Sequence, residues 1–481
     1  MPDSFLKLLP PVIEKFTPKD PIDRNKWLFK FRPTLPIPYK EYEKSRIELE
    51  KRQIQALREI IETYGIDGVL NMADTIDTHH NLGIILQKVT LDNKSTKKIV
   101  SAICEGENKS KIAYGYLSSA IRIKDDDWVN DFLSKESISI YNEDCIAKIL
   151  ISFPFNSETL SYLSTFSEEV QRLYWKKIGS IITDNNEVLE VAVEKLLEFE
   201  LPRKALSELA KNSHSKDFSI KPEILSKVLY DAVRIPEEKD EYHITSYDAY
   251  ELLNYLREHP ESDNTLLQQL EWDYLLILDY QHGNLYLHEC IEADPSFFVG
   301  LIEILYTKNE DDDKNIKSKW RRSNHLLSTW KKLPGYNSET NSIDEDYLNE
   351  WIEKAISLLK EKGLEELGLT HIGELLYWGP KEEMKSWPHP TVCELIEEIA
   401  NENLDEGFRI EIYNSRGTTV RGPFEGGIQE LELAEKFEAY AKNLETLFPR
   451  VASILRKVAK NYRSEAKWND NRADLNEDDL G

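Results

Sequence analysis

Cysteine is scarce in this chain, and the four cysteines among 481 residues stand too far apart for a CxxC pair or a dense disulfide framework. This usage is typical of a reducing compartment, so we expect that disulfide bonds do not hold the fold. Long apolar runs are lacking too, because no stretch approaches the roughly 20 apolar residues of a membrane-spanning helix. The opening residues also have no small-residue cleavage site after a long apolar core. The sequence therefore predicts a cytoplasmic protein with no membrane partner.

Glycine and proline are sparse as well, at 19 and 20 residues, while Leu, Glu, Lys, Ile and Ala fill the long segments. That composition favours helix. The 87 acidic residues outnumber the 61 basic ones and give a net charge of −26. A field of this sign repels nucleic acid and anionic membranes, so a polyanionic partner would need a local basic patch.

Apolar residues recur at helical spacing over most of the chain, in stretches of roughly 10–18 residues separated by short polar or proline-bearing connections. No tetratricopeptide or ankyrin signature repeats. The sequence therefore predicts an all-α protein, a HEAT-like or irregular α-solenoid of helical pairs. Examples of these helical stretches are 43–64, 186–199, 222–234, 344–362 and 390–403.

The chain is expected to contain four regions. In the first, Trp27, Phe29 and Phe31 alternate as in a short strand or an extended segment, and prolines exclude a continuous helix. Any domain boundary is expected in the polar stretch 307–346. The four regions are an irregular proline-rich lead-in at 1–42, a helical-repeat region at 43–306, a C-terminal helical region at 320–468 and an acidic tail at 469–481.

The stretch from Gly407 to Gly427, GFRIEIYNSRGTTVRGPFEGG, concentrates glycines and alternates like a β-hairpin, which we expect at 408–421. Arginines beside glycine-rich backbone next to a helix N-terminus favour an anion or partner contact. The spacing fits neither a P-loop nor a dinucleotide fingerprint. The alternative is a hairpin that only packs on or caps the helical array. The contact candidates are Asn414, Arg416, Gly417, Arg421, Gly426 and Gly427.

The segment 314–332, KNIKSKWRRSNHLLSTWKK, has seven Lys or Arg, no acidic residue and two tryptophans. Aromatic side chains among cations can bind phosphates and stacked bases, which favours a nucleic-acid contact. The alternative is a solvated helix with one buried side. The nucleic-acid candidates are Lys317, Lys319, Trp320, Arg321 and Arg322.

Catalytic and metal motifs are lacking. The clusters His79-His80, His288-Glu289-Cys290 and His371 with Glu374 have neither HExxH nor paired-cysteine spacing, and there is no GxSxG sequence. The sequence therefore predicts no metal site and no cofactor. An enzyme whose site is assembled from dispersed Glu, His and Arg residues stays open as an alternative.

An amphipathic pattern runs from Ile428 to Ala473, and Pro449 divides it into two helices or one kinked helix. Such a pair at the end of a helical array can cap it. It can equally pair with a second chain, so an oligomer stays open.

Three C-terminal segments resemble the helical C-terminal portion of large bacterial proteins of the anti-phage-defence type. These segments are WRRSNHLLSTWKKLPG, WPHPTVCELIEEI and the stretch from Gly407 to Ala466. In those proteins an effector or NTPase domain precedes a helical sensor. The resemblance implies a sensor or scaffold subunit with no chemistry of its own, whose partner is another protein, either an effector subunit or a phage protein.

Overall fold

A computed structural model describes residues 16–35, 42–236, 238–278, 285–307, 314–380, 387–422 and 425–478, with side chains as far as Ala473. The chain divides into two compact units, Met1–His243 and Ile244–Gly481. No helix among these residues is both long and apolar enough to cross a membrane.

The first unit is helical. Its longest helix, α2, contains Gly65 at a φ of 66°, which breaks the helical geometry before the chain continues to Asn71. A 3-10 helix, Lys26–Phe29, follows α1, and another, Met72–Thr75, follows α2. The helices are α1 (Pro21–Asn25), α2 (Tyr42–Asn71), α3 (His79–Leu86), α4 (Asn93–Ala102), α5 (Glu107–Ile123), α6 (Asp126–Leu133), α7 (Lys135–Ile138), α8 (Glu143–Ile151), α9 (Ser157–Leu163), α10 (Glu168–Lys177), α11 (Asn186–Glu198), α12 (Pro202–Asn212) and α13 (Pro222–Ala232).

The second unit is helical apart from one small antiparallel hairpin. In the hairpin, Tyr336 pairs with Ile343 and Asn337 pairs with Ser342. Its elements are α14 (Ser246–Glu258), α15 (Asn264–Tyr274), α16 (Tyr286–Ala293), α17 (Pro295–Tyr306), α18 (Lys314–Thr329), β1 (Tyr336–Asn337), β2 (Ser342–Ile343), α19 (Glu345–Glu361), α20 (Glu365–Leu376), α21 (Pro390–Ile399), α22 (Glu402–Asn414), α23 (Ile428–Leu444) and α24 (Pro449–Asp478).

Most of these helices begin where a polar side chain accepts a hydrogen bond from a first-turn amide. Asp92 accepts from the amide of Ser95 at 2.7 Å before α4, and Asn142 accepts from the amide of Cys145 at 2.9 Å before α8. These bonds satisfy donors that have no partner inside the helix. Apolar faces then bury one helix against others close in sequence, as α17 packs against α18 and α19. The all-α prediction is confirmed.

Buried polar side chains on one helix form hydrogen bonds with the backbone at the end of a neighbouring helix. In the first unit, Lys204 on α12 is fully buried, and its Nζ donates to the carbonyl oxygens of Trp175, Lys176 and Ile178 at 2.7, 3.1 and 2.7 Å. Burial lowers the pKa of Lys204 to about 8. These carbonyls at the end of α10 have no partner further along that helix, so Lys204 acts as its cap.

Carboxylates make the complementary contact at helix starts in the second unit. Glu271 accepts from the amides of Tyr286 and Leu287 at 2.9 and 2.8 Å. Because the first amides of a helix are unpaired and its N-terminus is electropositive, a buried carboxylate is stabilised there.

Two pairs of glycines allow helices to cross closely. In the first unit, a Cβ added to Gly83 on α3 would collide with the Ile112 backbone, and one added to Gly115 on α5 would collide with His80. In the second unit, a Cβ on Gly373 of α20 would collide with the carbonyl oxygen of Leu404, and Gly407 of α22 approaches Thr370 in the same way. These glycines serve close packing.

The predicted hairpin at 408–421 is wrong in position. Residues 408–414 form the end of α22, and 415–422 contain no regular element. The apolar alternation that suggested a strand is incidental. Leu404, Phe408 and Ile412, four residues apart, are the buried ones, and that spacing is helical. The hairpin of this protein lies at 336–343, inside the predicted polar loop.

Other expectations at the ends of the chain are also corrected. Trp27 and Phe29 lie in the 3-10 helix after α1, and 31–35 has no strand. The predicted acidic tail from 469 continues α24 as far as Asp478. The expected division of the amphipathic pattern 428–473 at Pro449 is confirmed, because α23 ends before it and α24 begins at it.

The division into units lies at His243, within the predicted repeat region 43–306 and outside the expected boundary at 307–346. The physical reason is that helices from both sides of that polar stretch share one core. Trp330 and Trp351 contact Phe298 on α17, with ring centroids 6.1 and 5.3 Å away.

The structure also corrects the expectation about disulfide bonds. Cys104 follows α4 and Cys145 lies on α8, and the structure joins their sulfur atoms, with the Cα atoms 5.3 Å apart. Cys290 and Cys393 are free. Residues 41 apart in sequence are brought together by packing, which the spacing of cysteines alone cannot reveal.

Candidate functional site

A cavity of about 320 Å³ lies in the second unit among α17, α18, α20 and α22. Its size falls in the range of small-molecule sites. Phe298, Trp330 and Trp378 supply aromatic walls. The polar residues that line it are Asn324, Ser328, Lys331, His371, Glu374, Glu411 and Asn414.

A hydrogen-bonded chain of three side chains borders this cavity. The Nδ1 atom of His371 lies 2.8 Å from a carboxylate oxygen of Glu374, and its Nε2 atom lies 3.0 Å from the hydroxyl of Tyr306. The network is satisfied when Nδ1–H donates to Glu374 and Nε2 accepts from Tyr306. Burial and the negative charge of Glu374 raise the pKa of Tyr306. This arrangement fixes the orientation of the imidazole and can conduct a proton.

A second carboxylate, Glu411, faces the same cavity from α22. It accepts a hydrogen bond from the indole N–H of Trp378 at 3.1 Å and one from the Asn414 amide at 3.3 Å. Burial raises the pKa of Glu411, and the nearby charge of Glu374 raises it further. Among the described residues, Glu411 forms no ion pair. Glu374 is bonded to His371, whereas Glu411 is bonded, in the part of the chain that the structure describes, only to neutral donors. Two nearby carboxyl groups in such different surroundings are typical of functional sites.

The aromatic wall carries two polar features. The Nζ atom of Lys331 lies 4.8 Å from the centre of the Trp378 ring, within the range of a cation–π contact. Trp330 is only 5% exposed, and its indole N–H has no acceptor among the residues that the structure describes. A buried donor without an acceptor is costly, and this nitrogen lies beneath the surface of the cavity wall.

The crossing of α20 and α22 holds the two carboxylates near each other. Glu374 directly follows Gly373, and Glu411 lies one helical turn after Gly407. Because both glycines approach the opposing backbone, the helices sit closer together than side chains would allow. The acidic side of the cavity is therefore built from rigid helices.

Two of the predicted contact residues are internal. Arg421 donates to both oxygens of the Glu430 carboxylate at 2.6 and 2.7 Å, and Arg416 forms an ion pair with the same group. Asn469 donates to Glu430 at 3.2 Å. Glu430 is fully buried. The anion that these arginines bind is thus a carboxylate of the protein itself.

The other four contact candidates lie at different places in the second unit. Asn414 borders the cavity, and Gly417 turns the chain after α22 with a φ of 69°. The amide of Gly427 donates to Asp470 at 2.6 Å, and added Cβ atoms at Gly426 and Gly427 would collide with α24. Only Asn414 joins the cavity.

The nucleic-acid candidates lie on α18, as the alternative of a helix with one buried side predicts. Lys317, Lys319, Trp320 and Arg321 are exposed, while Arg322 is half-buried and donates to the carbonyl oxygen of Asp273 at 3.3 Å. Four of the five candidates are therefore exposed on this helix.

The sequence showed His371 and Glu374 only as a cluster of metal-ligand residue types without the spacing of a metal site. It missed Glu411, since the segment around it was interpreted as a strand. Lys331, Tyr306 and Trp378 have no local signature and meet only through packing. Within the described residues, no group of three or more His, Cys, Asp or Glu side chains is placed to hold a metal ion.

Comparison with protein-family models, with curated proteins and with solved structures found no match to this chain. The geometry of the cavity and of the exposed helix is therefore the basis for assigning a function.

Proposed function

We propose that this protein is a sensor or scaffold subunit without a reaction of its own, whose second unit binds a small polar molecule. The observation that supports this proposal is the cavity, in which the Tyr306–His371–Glu374 chain and Glu411 face one space beside aromatic walls. Aromatic walls with a few oriented polar groups are the usual composition of a ligand site.

Saturation-transfer NMR against a library of polar metabolites tests this proposal. We expect ligands whose signals are lost in Glu374→Gln and Glu411→Gln, with folding checked by circular dichroism. Glu366→Gln is the matched control, because Glu366 is exposed on the same helix and does not line the cavity. A library without any hit that depends on these two carboxylates would refute a ligand site here.

We further propose that the protein acts by engaging another protein, an effector subunit or a phage protein, in the cytoplasm of a bacterium. The sequence resemblance to anti-phage-defence proteins supports this part of the proposal. Affinity capture from infected and uninfected cells, with mass spectrometry, tests it. Enrichment of one defined effector or phage protein is expected. If no protein is specifically enriched from either infected or uninfected cells, this part of the proposal is contradicted.

An enzyme is the second candidate, and Glu411 favours it. A carboxyl group with a raised pKa beside a second carboxyl group is suited to general acid–base catalysis. The purified protein should be assayed with NTPs, DNA, RNA and NAD, with and without divalent metal. Turnover that disappears in Glu411→Gln would establish the enzyme and overturn the non-catalytic proposal.

Nucleic-acid binding is the third candidate, because Lys319, Trp320 and Arg321 are all exposed on α18. Retention on DNA that decreases steeply with salt and is lost in Lys319→Ala plus Arg321→Ala would support it. Equal retention of the two proteins would exclude this surface.

A further inference from the structure

The polar groups of the cavity differ in sign according to the elements that supply them. The ammonium of Lys331, which follows α18, is a donor. Glu374 on α20 and Glu411 on α22 are acceptors. The cavity therefore presents a donor side and an acceptor side to whatever occupies it.

Within the part of the chain that the structure describes, the charged groups on the two sides of the cavity form no ion pair with each other. Among the described residues, Lys331 forms no ion pair, and its ammonium lies against the face of Trp378. Glu374 is bonded to His371, while Glu411 receives only the hydrogen bonds of Trp378 and Asn414. A ligand with one charge would therefore pair with one side only, whereas a ligand with two opposite charges pairs with both.

Building on the proposed function of the cavity as a ligand site, we propose that its ligand is a zwitterion of the amino-acid class. The ammonium group lies between Glu374 and Glu411, and the carboxylate is bound by Lys331. The aromatic walls take the side chain of the ligand. Each charged group of such a molecule has a partner of opposite sign in the cavity.

The titration of Glu411 is consistent with this assignment. Burial and the neighbouring charge of Glu374 raise its pKa, while the charge of Lys331 opposes that rise. A ligand ammonium beside Glu411 would favour its ionised form. Lys331 and His371 are the other titratable groups that line this space, and Tyr306 is bonded to His371 behind it.

Two matched sets of probes test the proposal by titration with the full chain. The first set is L-phenylalanine, 2-phenylethylamine and 3-phenylpropionate, and the second is L-leucine, 3-methylbutylamine and 4-methylpentanoate. Each set keeps the side chain and removes one charge. We expect the zwitterion of at least one set to bind about tenfold or more tightly than both of its singly charged analogues, because each lost charged hydrogen bond costs that much.

Lys331→Met separates the two ends of the ligand. Lys331 is exposed, so the variant should fold normally. We expect it to bind the amino acid about tenfold more weakly and the amine unchanged. Lys319→Met is the matched control, because this exposed lysine on α18 does not line the cavity, and its affinities should equal those of the wild type.

The outcomes distinguish this inference from the proposed function. Failure of both amino acids to bind, or an amine or carboxylate that binds as tightly as its amino acid, overturns the zwitterion. If library hits that depend on Glu374 and Glu411 exist in that case, the ligand site stands and only its ligand class is wrong. If no such hits exist, the proposed function fails as well.

Discussion

Arg421 and Glu430 form a two-pronged ion pair, with a guanidinium nitrogen 2.6 and 2.7 Å from the two carboxylate oxygens. Arg416 and Asn469 complete the surroundings of this carboxylate, which has no exposed surface. The pair fastens the irregular segment after α22 to α23. Its strength lies in geometry, since a buried charge is tolerated only with such partners.

Glu430→Gln should lower the free energy of unfolding by about 3 kcal/mol, because two arginines would then be held near an uncharged group. Thermal unfolding followed by circular dichroism measures this loss. The control is Glu432→Gln, an exposed residue of the same helix, which should change stability by less than about 0.5 kcal/mol. Arg416→Ala plus Arg421→Ala should also be strongly destabilising, and a melting temperature close to the wild type would contradict the internal role.

The difference between wild type and Glu430→Gln should depend on pH. Burial opposes ionisation of Glu430, but hydrogen bonds from Arg416 and Arg421 outweigh it, so its pKa is lowered from the ordinary 4.5. The folded state therefore binds the proton less readily than the unfolded state. The contribution is complete above pH 4.5 and is lost as the pH falls through the lower folded-state pKa. Denaturant unfolding at several pH values measures it, and a difference that widens in acid would refute this explanation.

Lys204→Met should destabilise the first unit by about 3 kcal/mol, because three backbone carbonyls at the end of α10 lose their donor. Urea unfolding provides the measurement. Lys227→Met makes the same chemical change at an exposed position of α13 and should be nearly neutral. Equal stability of the two variants would show that Lys204 is not a cap.

Glu411→Gln should raise stability by about 0.5–1 kcal/mol at pH 7 while abolishing ligand binding. The raised pKa of Glu411 means that its charged form is unfavourable in the folded state, so its contribution to stability is greatest in acid and is lost as the pH rises through that pKa. Glutamine can still accept the bond from Trp378. Melting temperatures at pH 7 test this, and a large drop would identify Glu411 as a structural residue.

Thiol labelling should find two reactive cysteines in the denatured, unreduced protein and four after reduction. The reason is the bond between Cys104 and Cys145, which leaves Cys290 and Cys393 free. Mass spectrometry counts the labels. Cys104→Ser should give three labels without reduction, because Cys145 loses its partner. Four labels on the unreduced wild type would exclude the disulfide.

Helices with long apolar periodicity could be predicted closely from the sequence. The expected stretches 186–199 and 344–362 are found as Asn186–Glu198 and Glu345–Glu361. The failure came at α22, where Ile410 and Ile412 alternate with polar residues while Phe408 and Ile412 follow the helical period. Over so few residues the two periods cannot be separated, and the glycines nearby biased the choice towards a turn.

The candidate site was harder to predict for a different reason. His371 and Glu374 are neighbours on one helix, so spacing alone relates them. Glu411 joins them only because α20 and α22 cross closely, and Lys331 only because of the chain's path after α18. Contacts between distant segments depend on packing, which a single sequence does not display.

The crossing at Gly373 and Gly407 has a consequence for how this protein can change. At this point each glycine presents only a hydrogen atom to the opposing backbone. A methyl group at either glycine would therefore push the two helices apart. Glu374 and Glu411 would move apart although neither had been replaced. Two positions without a functional side chain thus set the width of the cavity. Replacing either glycine would change which molecules the cavity accepts.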